Sequence, residues 1–110
     1  MTNILHLISE NSFEAVHALL EECRTSFEKS ELSNQKDGRN TPALFLATKS
    51  WPPNEAVRLI NALVAAGASL ESRDYERKEV LDYACETGVD LMIFDALLNL
   101  HPHRKKDYVS

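Results

Sequence analysis

Cys85 beside Glu86 is the closest approach in this sequence to a nucleophile next to an acid, and His6 and His17 are the histidines that could serve it as a base. A thiol becomes a useful nucleophile only when a base lies within hydrogen-bond reach. Here the histidines belong to the first helical block and the cysteine to the last. His101 and His103 form a second constellation, since two imidazoles can hold a metal when a third ligand joins them. The plain reading is two surface histidines separated by Pro102. Arg104, Lys105 and Lys106 follow, and clustered cations are what a phosphate backbone requires. Their plain reading is a basic run that suits the C-terminal dipole of the preceding helix. The sequence has no glycine-rich phosphate loop, no Cys-x-x-Cys pair and no His-Glu-x-x-His helix. No convergent catalytic set emerges, so no enzyme, cofactor or metal is expected.

The acidic residues form a longer pattern. Glu79, Asp82, Glu86, Asp90 and Asp95 lie in a stretch that contains no lysine or arginine. The first three are spaced by three and four, so they share one face of a helix, where like charges cost a little stability. Two readings stand side by side. One is a solvated helix face; the other is a patch that meets a basic partner. The net charge of −5 argues against nucleic acid as that partner.

These residues need elements to hold them, and the chain supplies three apolar blocks of one plan. They are Ile4 to Cys23, Ala43 to Ala68, and Val80 to Leu100. Each opens with a short helical stretch, breaks at a turn, and resumes as a longer helix. Ser12 is the expected N-cap after the first break, Asn54 or Ser50 after the second. Gly88 is expected to end the first helix of the third block with a positive φ. Apolar residues then recur at helical spacing: Val16, Leu19, Leu20 and Cys23; Val57, Ile60, Leu63 and Val64; Ile93, Leu97 and Leu100. The polar segments between blocks, 24–40 and 69–79, read as hairpins or loops, too short and too charged for another core element.

Composition bounds the rest. The 110 residues are 44% apolar, enough for one small domain and too apolar for disorder. No apolar run approaches the roughly 20 residues of a membrane span. The opening residues lack a basic segment followed by a cleavage site, so a secretory leader is not expected. Cys23 and Cys85 read as small buried hydrophobes, and the cytoplasm is the expected compartment.

The blocks repeat. Asp37 and Asp74 each precede a leucine, Leu44 and Leu81, by 7 residues, and the two aspartates are 37 apart. The stretches "TPALFLA" (41–47), "VAAGASLESRD" (64–74), "ILHLISENSFEAVHALLEE" (4–22) and "VLDYACETG" (80–88) resemble the ankyrin-repeat family. Leu44 to Ala47 and Leu81 to Ala84 match its first-helix motif; Gly67, Ala68 and Asp74 match the close of its second helix. The resemblance implies an all-α ankyrin-repeat solenoid over 1–100, with repeats of about 1–36, 37–73 and 74–100, the outer ones atypical caps. A basic tail, 101–110, follows. The family's loop glycine is replaced by Asn40 and Arg77. Arginine tolerates a left-handed backbone poorly, so the hairpin at 72–78 is expected to be irregular.

The resemblance also implies how such a chain works. Ankyrin repeats bind proteins on the face built from first helices and hairpin tips. By that likeness the partner-binding residues are Arg39, Phe45, Lys49, Tyr75, Glu76, Arg77, Asp82 and Glu86. The expected function is protein–protein interaction without catalysis. The sharper form is a small inhibitor or immunity-type protein that covers a basic partner such as a toxin. The alternative is an adaptor or accessory subunit of a larger complex, bound through an apolar patch. No nucleic acid or membrane partner is expected.

One stretch breaks the regularity. "SWPPNEAV", 50–57, carries the only tryptophan. A spacing of 37 against the family's roughly 33 leaves about 4 extra residues, which are expected in this turn and the helix after it. Pro52 and Pro53 would stop one helix and preset the next. Trp51 is read as a buried staple over that start, with an exposed contact residue as the alternative.

Overall fold

The computed structural model describes residues 4–10 and 12–100. Among them are seven helices and no strands: α1 (Ile4–Ser9), α2 (Phe13–Glu21), α3 (Ser26–Ser33), α4 (Ala43–Ser50), α5 (Pro53–Ala65), α6 (Val80–Thr87) and α7 (Leu91–Leu100). Helices α1 and α2, α4 and α5, and α6 and α7 pack as pairs. The pairs stack in two layers. In one, α4 lies between α1 and α6; in the other, α5 lies between α2 and α7. The result is longer than it is wide, 43 × 25 × 24 Å.

The sequence pattern explains the stack. Helix α5 buries Ala56, Leu59, Ile60 and Leu63 between its two neighbours. Each large apolar side chain so buried contributes about 1.5–3 kcal/mol. Val57 and Val64, also expected in this core, are half-buried at its edge. Val16 and Leu20 from α2, and Ile93 and Leu97 from α7, close the same layer. Ile4, Ile8, Phe45, Val80 and Leu81 fill the other.

The helix ends follow local chemistry. Ser12 caps α2, its hydroxyl accepting from the Ala15 N–H at 3.3 Å. Gly88 ends α6 at φ 67°, left-handed as expected. The start of α5 is a correction. Neither Ser50 nor Asn54 stands at its N-cap; Pro52 occupies that position and Pro53 the first helical one. Proline's fixed φ suits that first position, and its missing N–H needs no acceptor. The extra length lies largely in this helix, which runs 13 residues where α2 runs 9.

Segment 24–40 is a second correction, because it contains helix α3 and not only a loop. Thr25 Oγ1 accepts from the Glu28 N–H at 3.1 Å, and the Glu28 carboxylate accepts from the Arg24 N–H at 3.0 Å. This closed ring satisfies one first-turn donor and the N–H just before the cap, and starts a helix whose apolar content is too low to announce it. Gly67, at φ 110°, then lets the end of α5 approach α3. A Cβ there would sit 3.0 Å from that of Ser30. The contact is sealed by Asn34, which donates to Gly67 O at 2.9 Å and accepts from the Ser69 N–H at 2.8 Å.

Trp51 is buried, 5% exposed, as the staple reading expects. Its reach is longer than that reading supposed. The indole Nε1 donates to Ile8 O at 2.8 Å, so the turn between α4 and α5 is tied to the last turn of α1 in the neighbouring pair. Carbonyls in a last helical turn lack intrahelical donors, and the indole supplies one.

The cysteines divide. Cys23 is half-buried and Cys85 is exposed, and both are free. The core stripe of α6 runs through Val80, Leu81 and Ala84, which turns position 85 outward, so Cys85 is not the buried hydrophobe its residue type suggested.

Candidate functional site

The site is built from two loops of the same design. In the first, Asp37 Oδ1 accepts from the N–H groups of Arg39 at 2.8 Å and Thr41 at 2.9 Å. In the second, Asp74 Oδ1 accepts from Glu76 at 2.9 Å and Lys78 at 3.0 Å. Backbone bonds repeat at the same offsets: Asn40 N to Asp37 O and Arg77 N to Asp74 O, both 2.9 Å. Asn40 and Arg77 hold φ at 64° and 65°. The second loop is therefore not irregular, contrary to the expectation from its arginine. Two hydrogen bonds to one buried carboxylate oxygen hold the left-handed turn that arginine alone would disfavour. The bonds from Thr41 and Arg39 also hold the Asp37 carboxyl below its ordinary pKa, against a smaller opposing cost of desolvation.

With the backbone so fixed, the side chains at the tips point into solvent. Arg39, Tyr75, Glu76 and Arg77 are all exposed. Tyr75 is 68% exposed, and its hydrogen bond to Glu76, with that carboxylate's charge, raises its pKa. Lys49, at the end of α4, is exposed and lies 5.9 Å above the Tyr83 ring. Asp82 and Glu86 are on α6, half-buried and exposed respectively. Phe45 does not join this surface. It is fully buried, its ring 5.0 Å from that of Tyr83, and it belongs to the core. Its motif position faces inward because Leu44, Phe45 and Thr48 together form the packed side of α4.

Electrostatics alter the acidic run. Lys78 pairs with Glu86, and with Glu76 at 3.2 Å. Those carboxylates, Glu86 first, raise the Lys78 pKa. Arg73 lies 3.6 Å from Glu79. Glu79 and Glu86 thus have cations supplied by the hairpin just before the run. A linear reading cannot see this, because the cations are outside the window and the turn folds them back.

The imagined thiol chemistry is not assembled. The cleft beside Cys85 is lined by Arg77, Lys78, Asp82 and Glu86. His6 pairs with Glu10 at 2.8 Å and His17 with Glu21 at 3.5 Å, each on its own helix. His101, His103 and the basic run 104–106 lie outside the described residues. Among the described residues no cluster could hold a metal ion, and no helix is long and apolar enough to cross a membrane.

Asn34 is the residue of this region that the sequence pattern did not single out. Asn34 sits where Asn commonly ends a helix, but its bonds to Gly67 and Ser69 depend on a segment 33–35 residues away. Comparison of the chain with family models, curated proteins and solved structures found no match.

Proposed function

We propose that this chain is a non-enzymatic protein-recognition module of the ankyrin-repeat type. It engages a protein partner through its hairpin tips and the adjoining face of α4 and α6. One observation carries the reading: the same aspartate-capped loop is built twice, 37 residues apart, and each time it holds a left-handed backbone whose neighbouring side chains project into solvent. The stacking of helix pairs in two layers supports the architecture that the sequence resemblance implied. Tyr75, Arg39 and Arg77 are of the residue types that dominate interface energetics.

The sharper form is a small inhibitor or immunity-type protein on a basic partner such as a toxin. Asp82 and Glu86 are its contact acids, and partner cations would replace Lys78 at Glu86. An adaptor or accessory subunit of a larger complex is the second reading, favoured by the exposed Leu91 and Met92 of α7.

The test is affinity capture of the partner from the native cell, then titration of the pure pair. Tyr75→Ala should weaken binding at least about tenfold, as a hot spot does. If Tyr75→Ala and Arg77→Ala both bind as the wild type does, the hairpin surface is not the interface. Asp82→Asn with Glu86→Gln separates the two forms. Loss of both affinity and salt dependence supports the inhibitor; unchanged binding supports the adaptor.

A further inference from the structure

Helix α7 is apolar on two sides. Ile93 and Leu97 are buried in the stack, in the layer where α7 meets α5. Leu91, Phe94, Asp95 and Leu98 fall at i, i+3, i+4 and i+7, a second stripe along the same helix. With Met92 they line a shallow groove. Leu91 is 80% exposed and Met92 49%. Helix α5 shows what two such sides accomplish in this layer, since it meets α2 on one and α7 on the other. Helix α7 is the last described member of the layer; along its second stripe Leu91 and Asp95 are exposed, Phe94 is half-buried and Leu98 is 6% exposed.

We propose that this groove receives an amphipathic helix from a protein partner, one that carries a lysine or arginine within its apolar stripe to meet Asp95. The helical form follows from the groove's own register, which repeats the way neighbouring helices pack in the layer. The basic residue follows from charge. Asp95 is exposed within the groove and is the only charged residue of α7. Asp90, also exposed, sits just before the helix, and among the described residues neither is in an ion pair. A second copy packed by a two-fold axis would bring Asp95 toward its own image in an apolar interface, at an electrostatic cost. An anionic lipid surface would be repelled by both carboxylates. The groove uses none of the hairpin-tip residues, so it does not depend on the hairpin interface; it rests on and deepens the adaptor reading, which drew on Leu91 and Met92.

The probe is a labelled amphipathic peptide with leucines at i, i+3 and i+7 and lysine at i+4, together with a twin that has glutamate at i+4. Both are titrated against the full chain by fluorescence anisotropy. The lysine peptide should bind at least about fivefold tighter than its twin. Leu91→Ser, at a site too exposed to affect folding, should weaken the lysine peptide about tenfold. Asp95→Lys should invert the preference between the twins, with circular dichroism unchanged. Equal binding of the twins overturns the proposal, as does no binding below about 1 mM. A concentration-dependent dimer abolished by Leu91→Ser would assign the groove to a second copy and overturn it. Binding that appears only after Arg104, Lys105 and Lys106 are replaced by alanine would assign the groove to the chain's own tail, and would also overturn it.

Discussion

Replacing Trp51 with phenylalanine removes the indole donor and keeps most of the ring. Two losses follow. The hydrogen bond to Ile8 O, 2.8 Å long and buried, disappears and leaves the carbonyl of a last helical turn without that donor. Such a bond contributes about 1 kcal/mol net, more when the remaining partner stays dry. The smaller ring also leaves a void of roughly 40 Å³, which at about 24 cal/mol per Å³ costs about 1 kcal/mol. The sum is about 2 kcal/mol, or roughly 8–12 °C in Tm for a domain of this size. Urea unfolding followed by circular dichroism measures it, since the variant has no tryptophan left to report by fluorescence. In the wild type the single tryptophan should emit in the blue-shifted range of a buried indole and shift red on unfolding. Trp51→Phe within about 0.5 kcal/mol of the wild type would refute the reasoning, because that is the size of an ordinary surface change. Ready quenching of the native emission by acrylamide would refute the burial on which it rests.

Three further outcomes follow from the capped loops. Asp74→Ala orphans two backbone donors at a site 6% exposed and should cost about 3 kcal/mol, whereas Asp74→Asn keeps an oxygen in place and should cost about 1 kcal/mol; thermal denaturation separates them. The Asp37 pKa is lower folded than unfolded, so its contribution is fully present above the ordinary carboxylate range and is lost as pH falls through the folded pKa; Asp37→Asn should flatten stability against pH below about 4, read by denaturant titrations at each pH. Arg77→Val places a β-branched residue at φ 65° and should destabilise by about 1–2 kcal/mol, while Arg77→Asn, the residue used at the equivalent Asn40, should be neutral or mildly stabilising in the same urea assay.

Helix pairs, their apolar stripes and the caps at Ser12 and Gly88 were legible in the sequence because each depends on neighbours within a turn or two. The hairpins were legible too, as aspartates at equal spacing, but their regularity was not. Arg77 looked wrong for its backbone until the hydrogen bonds of Asp74 were in place. Helix α3 was missed because its signal is polar: the Thr25–Glu28 ring starts it, and only Ser33 is buried along it. Phe45 was misplaced for the opposite reason. Motif position implied an accessible first-helix residue, and packing against Tyr83 put it in the core.

Helices arranged in repeating pairs could be read from consecutive residues alone, because periodicity, capping and turn chemistry are local properties. Tertiary structure decided everything that depends on residues brought from elsewhere. It placed Lys78 on Glu86 and so tempered the acidic run. It turned Cys85 away from the core and left Leu91 and Met92 of α7 exposed. It also gave Trp51 its partner, a carbonyl 43 residues away. The physical reason is common to all four: charge pairing, burial and hydrogen bonding depend on distance in space, and a one-dimensional pattern reports that distance only within a helix or a turn.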